Sequence, residues 1–348
     1  PRRALDPLLP SIAGRRPEPG LVEDLQRAYL PEALARQVAA ELGSESEAAA
    51  AAVARAAAGK GVPPPQPVRV AEHRWTVDFP LPAAEGGGAP RQLLKLNVAH
   101  MQKLRQLYCR HTRQPAELDE AATADFHLRV FCVLCRYRAL LGHGFQAAVS
   151  EQGFDVLKRR LGVQLECFAS PLNSYFDKFC SAFPDVDAAF GSVGSFFDPA
   201  AFAPSAGSFE ANPPFVPELM AAMTRRIEDL LEAAPKGSPL SFCVVVPGWT
   251  EMDAWGALHR SRFLRAKWLL AREDHGFCDG AQHQRRDRYR ESPFDTAVFV
   301  LQTAAGAARW PATADVERDL RAAMAEAVPT AAAKARRVRD ARGQADAD

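Results

Sequence analysis

The sequence lacks any apolar run long enough to cross a bilayer, and no leader-peptide pattern opens it. A membrane protein or a secreted precursor is therefore not expected. Histidine is scarce, and the 8 present show no ligand spacing, so no metal site is expected. The 7 cysteines form an odd set in mostly apolar company, which excludes a disulfide framework and points to a reducing compartment, cytoplasm or nucleus. The pair Cys132 and Cys135 has the spacing of half a zinc site. It lies among Leu128, Val130, Phe131 and Leu134 with no second pair at useful spacing, and reads as buried thiols. Excess charge is missing too. Lysine and arginine number 43 against 42 acids, a net charge of +1, so any basic binding surface must be local.

What is present is a chain of 348 residues with 47% apolar and 24% charged content, enough for one large domain or two ordinary ones. It opens at Pro1 rather than methionine, so a fragment of a longer protein is expected. Residues 1–20, rich in Pro, Arg and Gly, read as a flexible arm. Residues 22–58 are helical in pattern, 59–67 form a Gly/Pro break, 68–81 read as a strand or two, and 84–91 as a loop. Helical spacing returns over 93–108 and again over 124–141. A short buried strand is expected at 165–170, a helix at 174–183, a strand at 208–211 and an amphipathic helix at 217–234, with Pro217 at its first turn. The runs at 240–249 and 294–302 read as fully buried strands. Strands alternating with helices predict a mostly parallel α/β sheet. The domain reading is a mainly helical domain over 21–123, the α/β core over 124–329 and a disordered tail over 330–348.

In such a sheet, ligands bind at the carboxyl ends of the strands. Three expected strand ends carry proline beside polar or aromatic residues: Phe168 to Asn173, Ala211 to Phe215 and Val246 to Trp249. The second reads Asn212-Pro213-Pro214-Phe215. Consecutive prolines cannot continue a ladder, because neither has an N–H to donate. The tetrapeptide resembles the Asp/Asn/Ser-Pro-Pro-aromatic motif of amino-group methyltransferases that use S-adenosylmethionine. The chemistry fits those residues. An exocyclic amine conjugated to a purine is a weak nucleophile. An amide oxygen on Asn212 and the carbonyl of Pro213, fixed by the next ring, supply two acceptors that favour a tetrahedral nitrogen and steady its developing charge. Phe215 offers a face for the base to stack on. The alternative is a tight turn that only caps a strand.

The flanks sharpen the resemblance. ECFASPLNSYF, FPDVDAAFGS, GSFEANPPF, SRFLR and GAQH together are similar to the phosphorylated-CTD-interacting factor family of cap-specific adenosine N(6)-methyltransferases, closely from about Leu93 to Trp310. The resemblance implies a Rossmann-like methyltransferase core with an N-terminal mainly helical domain, and S-adenosylmethionine as cofactor. It implies nuclear location and methyl transfer to the 2′-O-methyladenosine beside an mRNA cap. Asn212, Pro213, Pro214 and Phe215 would carry catalysis. Better-known members carry a WW domain that binds the polymerase II C-terminal tail. No spaced tryptophan pair of that kind stands in the N-terminal half, so tail binding is in doubt. A monomer acting on capped RNA with a 5′ adenosine is expected. The rival readings are an internal RNA or DNA adenine methyltransferase and an inactive relative that binds RNA or protein.

Further candidates follow from position. Ser170, Pro171 and Asn173 succeed the first core strand, where such folds hold a cofactor, although the usual glycine-rich loop is missing there. A helix N-cap is the alternative. Gln146, in Gly-His-Gly-Phe-Gln, would close over the methionine end, or else belongs to a plain turn. Asp185 and Asp187 are candidates for ribose hydroxyls, with loop capping as the alternative. Glu210 adjoins the motif, and strand alternation leaves open which way it points. For RNA, Arg262, Arg265 and Lys267 sit in one basic run and His283 and Arg285 in another, interleaved with Phe263, Trp268 and Tyr289. Trp249 suits a cationic methylated purine, or core packing.

Overall fold

The structure is a computed structural model, and it describes residues 22, 25, 26, 30–58, 68–80, 93–139, 147–285 and 287–329. The arm over 1–20, the loop at 84–91, the tail from 330 and the candidate Gln146 lie outside the described residues. The chain divides into two compact units, residues 1–67 and 68–348. The first contains helix α1, Glu32–Ala58, whose alanine content favours helix and whose first turn carries an Arg36–Glu32 pair at 2.7 Å.

The second unit opens with a three-stranded antiparallel sheet, β1 (Ala71–Glu72), β2 (Thr76–Pro80) and β3 (Leu93–Asn97). Helix α2, Val98–Thr112, follows at once, because the Asn97 side chain caps it by accepting the His100 N–H at 2.8 Å. The expected helix over 93–108 is therefore a strand and then a helix. Leu93 to Asn97 alternates exposed and buried positions, the period of a strand. Helix α3, Glu120–Ala139, packs with α2 and this sheet around Phe79, Leu96, Leu104, Tyr108 and Val130.

The main sheet has five strands in the order β4-β5-β6-β10-β7. They are β4 (Val163–Glu166), β5 (Gly207–Ala211), β6 (Leu240–Pro247), β7 (Leu264–Leu270) and β10 (Thr296–Gln302). A separate hairpin pairs β8 (Gly276–Cys278) with β9 (Tyr289–Glu291). β4, β5 and β6 pair in parallel, whereas β10 runs antiparallel to both β6 and β7. The sheet is mixed rather than mostly parallel in its pairings, although four of its strands point one way. Helices α4 (Glu151–Leu161), α6 (Pro217–Ala233), α7 (Asp253–Arg260) and α9 (Ala314–Ala325) cover it, with the short α5 (Pro184–Asp187) and α8 (Ala304–Arg309) at its margins. Two apolar layers result. Phe242, Val244 and Val246 of β6 join the layer under α6 and α7, and Cys243 and Val245 join the layer under α4 and α9. Burial on both faces explains the unbroken apolar run of β6, all eight residues of which are buried.

Beyond β4 the sheet continues by two single-residue parallel bridges, Glu166 to Phe179 and Phe179 to Ser192. The stretch 174–183, expected to be a helix, is therefore irregular and partly extended. Its first amides are taken elsewhere: the Glu166 carboxylate accepts the Tyr175 and Phe176 N–H groups at 2.8 and 3.0 Å. The Phe179 N–H bonds Gly191 O at 3.3 Å, and the Cys180 N–H bonds Glu166 O at 2.8 Å. Gly191 sits at φ +108, where an added Cβ would meet the Asp177 carbonyl oxygen at 2.1 Å, so only glycine fits this crossing.

Candidate active site at the reversal of the sheet

The chain leaves β4 outward through Phe179 and Ser192, then returns to lay β5 on the other side of β4. That reversal makes the gap between β4 and β5 a topological switch point, the place where a crevice opens at the carboxyl ends of parallel strands. A cavity of about 260 Å³ lies there. Its wall takes Glu166 to Ser170 from the end of β4 and Glu210, Asn212 and Pro214 from the end of β5. Tyr137, Ala147, Asn173, Ser181, Ser195, Phe196 and Phe197 close the sides.

Asn212 is the best-defined group. Its Nδ2 donates to the Ala147 carbonyl at 2.6 Å, which fixes the amide's orientation. Its Oδ1 is buried and has no partner among the described residues. A buried acceptor without a donor is costly, so an oriented one on a residue of the cavity wall is suited to a donor brought by a ligand. The next two residues are prolines in non-helical, non-strand backbone. The Pro214 carbonyl accepts the Val216 N–H at 2.7 Å, while no bond to the Pro213 carbonyl occurs among the described residues. Phe215 is 3% exposed and stands outside the cavity wall. It meets Trp249 at 6.3 Å and Phe294 at 5.5 Å in edge-on contacts, and Trp249 packs on Phe294 at 5.4 Å. Trp249 thus sits behind the motif, in an aromatic cluster.

Ser170 and Asn173 form a closed turn. The Asn173 Oδ1 accepts the Ser170 N–H at 2.7 Å and its hydroxyl at 2.8 Å. Pro171 is buried within the turn and does not line the cavity. Glu210 does line it. Phe209 and Ala211 enter the layer under α6, so alternation sends Glu210 the other way. Asp187 stands behind the wall, its Oδ2 accepting the Tyr137 hydroxyl at 2.6 Å, and burial raises its carboxyl to about 6. Asp185 lies on the surface, paired with Arg136 at 2.6 Å.

Glu166, Tyr137, Phe196 and Phe197 went unmarked in the sequence, whereas Phe168 opened one of the three expected strand ends. Phe168, Phe196 and Phe197 form one cluster with ring centres 4.9 to 5.8 Å apart, and Phe197 remains 36% exposed at the rim. Burial raises Glu166, while its two amide bonds and the Lys103 ammonium pull it back. Burial lowers Lys103, against the opposite pull of Glu166. The Lys103 Nζ donates to the Ser174 carbonyl at 2.6 Å. A second cavity, of about 340 Å³, adjoins the first across the shared Phe154 and Asn173 and takes His100, Lys103, Arg110, Gln282 and Arg288 into its wall.

The basic candidates separate into two places, neither on the wall of the first cavity. Arg265 and Lys267 project from β7, at the far edge of the sheet, with Lys267 over the Trp255 ring at 5.0 Å. Arg262 pairs with Glu232 at 2.8 Å. His283 and Arg285 lie in the segment that connects β8 to β9. His283 is buried and its imidazole lowered to about 4 by burial, so it is neutral, and Arg285 pairs with Asp279 at 3.1 Å.

The family model described as "Phosphorylated CTD interacting factor 1 WW domain" matches residues 103–280, just over half of the chain. The chain belongs to the phosphorylated CTD interacting factor 1 family. The matched stretch holds most of α2 and runs through α3 to β8, so the match covers the whole wall of the first cavity and most of the second, and stops short of β10. Two curated relatives carry the name "mRNA (2'-O-methyladenosine-N(6)-)-methyltransferase". The human protein is 40% identical over 242 residues, covering 67% of this chain and 33% of its own length. The mouse protein is 39% identical over 242 residues with the same coverage. The chain spans about a third of the length of these curated relatives of the phosphorylated CTD interacting factor 1 family.

Proposed function

We propose that the chain is an S-adenosylmethionine-dependent RNA methyltransferase that modifies the exocyclic amine of a cap-adjacent 2′-O-methyladenosine, on a Rossmann-like core. One observation carries the reading: Asn212, clamped at Nδ2 by Ala147 and with no partner for its buried Oδ1 among the described residues, lines a cavity at the switch point of the sheet. The names of the human and mouse relatives support the substrate class.

The residues present fit the methyl donor. Phe168, Phe196 and Phe197 offer apolar faces for a purine, Ser170, Ser181 and Ser195 offer hydroxyls, and Glu166 and Glu210 bring carboxylates to a ligand that bears positive charge. S-adenosylmethionine supplies, when bound, an electrophilic methyl on a sulfonium. The chain's own part is to hold the amine. Asn212 Oδ1 accepts one amine N–H and the Pro213 carbonyl accepts the other, so the nitrogen lone pair leaves conjugation with the ring and is aimed rather than activated by a base. The clamp at Ala147 means that no rotation is needed as charge develops. The adjoining cavity, with Lys103, Arg110 and Arg288 in its wall, is the place for the RNA phosphates.

The test is transfer of labelled methyl to matched RNAs, capped and uncapped, starting with adenosine, 2′-O-methyladenosine or guanosine. Capped 2′-O-methyladenosine RNA is expected to react fastest. Equal rates on uncapped and guanosine-start RNA refute the cap-adjacent assignment, and no transfer to any adenosine RNA refutes the activity.

A further inference from the structure

One buried acid in the cavity has no part in holding the amine. Glu210 is 1% exposed, lines the cavity, and keeps its Oε1 without a partner among the described residues. The groups around it are few. Glu166 lies in register on β4, Cys243 in register on β6, and Cys167 just past β4. Tyr137 stands in the cavity wall, with Asp187 behind it, and Lys103 acts on Glu166 rather than on Glu210. Among the described residues no cation pairs with Glu210. Ionised, it would be a buried anion beside a second carboxylate, so the free protein keeps it neutral. Burial first, and the Glu166 charge second, hold its carboxyl well above the usual range.

A methyl donor of the sulfonium type differs from its product in one charge. The donor carries a cation on sulfur beyond its amino-acid zwitterion, and the thioether product does not. Resting on the cofactor reading above, we infer that Glu210 is a charge sensor for that ligand: it releases its proton to solvent as the sulfonium enters and recovers one when only the neutral thioether remains. No electron moves and no covalent bond forms to the protein. The proton passes to buffer on binding and returns from buffer before or with product departure. The carboxylate thus formed is an ion-pair partner that exists only while the charged ligand is bound. The site thereby favours donor over product through a second carboxylate, beside Glu166, that forms only with the charged ligand.

Titration calorimetry of the wild-type chain, run with S-adenosylmethionine and with S-adenosylhomocysteine in two buffers of different ionisation enthalpy at pH 7, reads the proton directly. Release approaching about one proton per donor bound is expected, with none for the product. In Glu210→Gln the release should vanish, and the ratio of donor to product affinity should fall about tenfold, mostly through the donor. Binding of both ligands without proton release, or a Glu210→Gln that weakens both equally, overturns the inference and leaves the cofactor reading standing. Failure of the wild type to bind either ligand overturns the cofactor reading and the inference with it. The wild-type buffer comparison does not depend on the variant folding.

Discussion

Replacing Asn212 by alanine removes two things at once, and the structure separates them. The first is the bond from Nδ2 to the Ala147 carbonyl at 2.6 Å. Its loss leaves one part-buried carbonyl to water, a cost of about 1 kcal/mol in stability. The second is the oriented Oδ1, which has no partner among the described residues and so costs the fold its desolvation, a penalty that its removal recovers in part. It acts only when an amine donates to it, most strongly as that nitrogen becomes tetrahedral and positive. Loss of one preorganised hydrogen-bonding group of this kind lowers a rate by roughly 100- to 1,000-fold, about 2.7–4 kcal/mol. The Asn212→Ala chain should therefore melt within a few degrees of wild type, bind S-adenosylmethionine with an affinity within about threefold of wild type, and transfer methyl at least about 100-fold more slowly in a single turnover. Asn212→Asp keeps an acceptor and loses the clamp, placing a carboxylate against the Ala147 carbonyl. It should recover part of the rate when ionised. The assay is single-turnover transfer at saturating donor, beside calorimetric donor affinity on the same preparations. An Asn212→Ala chain with wild-type single-turnover rate refutes the role given to Oδ1. A chain whose whole defect lies in donor affinity moves Asn212 from the amine to the cofactor.

Other consequences are smaller or more local. Asp187 is raised from 3.8 to about 6, so between these values the folded chain holds a proton that the unfolded chain has lost. Stability from this group therefore falls as pH rises through that window, and Asp187→Asn should remove about 2 kcal/mol of the fall between pH 4.5 and 7.5 in urea unfolding, with an unchanged slope rejecting the buried-acid account. Gly191→Ala forces a Cβ onto the Asp177 carbonyl oxygen and should cost more than about 2 kcal/mol, whereas tolerance of the change in thermal melts would contradict the crossing at Phe179. Phe197→Ala strips the exposed rim of the aromatic cluster and should weaken donor affinity about tenfold while leaving the melting temperature unchanged within about 2 °C. Neutralising Arg265 and Lys267 tests the far edge of the sheet: if β7 tracks RNA phosphates, the slope of log affinity against log salt falls by about one for each side chain neutralised, and an unchanged slope removes β7 from the RNA path.

Where an element is decided by its own residues, the sequence is legible. β6 and β10 are fully buried, so their apolar runs leave no other reading, and α6 carries both a starting proline and a clean buried stripe at Met220, Met223, Ile227 and Leu231. Where an element is decided by a distant partner, it is not. β7 looks like a basic patch, because Arg265 and Lys267 alternate with residues whose burial depends on β10 beside them. The stretch after Asn173 has helical spacing, but a carboxylate nine residues upstream takes its amides. The candidate site divides the same way. Asn212, Ser170, Asn173 and Glu210 come from strand ends and converge on one wall. Lys103 and Tyr137 join from elements whose adjacency only the folded chain creates.

The two prolines after β5 gain their meaning from the gap beside them. A strand that ran on past Ala211 would keep pairing with β6 and carry its side chains past the end of β4. Proline at 213 and 214 ends the ladder at once, since neither residue has a hydrogen to give. The ladder on the other side stops as early, because the Glu166 carboxylate turns β4 away by capturing the amides of Tyr175 and Phe176. Two short parallel strands, ended by different devices, leave an open crevice where the chain reverses direction across the sheet. To the wall of that crevice the same segment brings an amide held at one atom and, among the described residues, without a partner at the other. Lengthening β5 by replacing Pro213 with valine is therefore expected to do more than add a donor. It unlocks φ at 213 and lets the Asn212 clamp relax, so methyl transfer should fall as far as in Asn212→Ala while the sheet itself is no less stable. Retention of activity in Pro213→Val, with stability raised or unchanged, would show that the motif's rigidity is incidental to its chemistry.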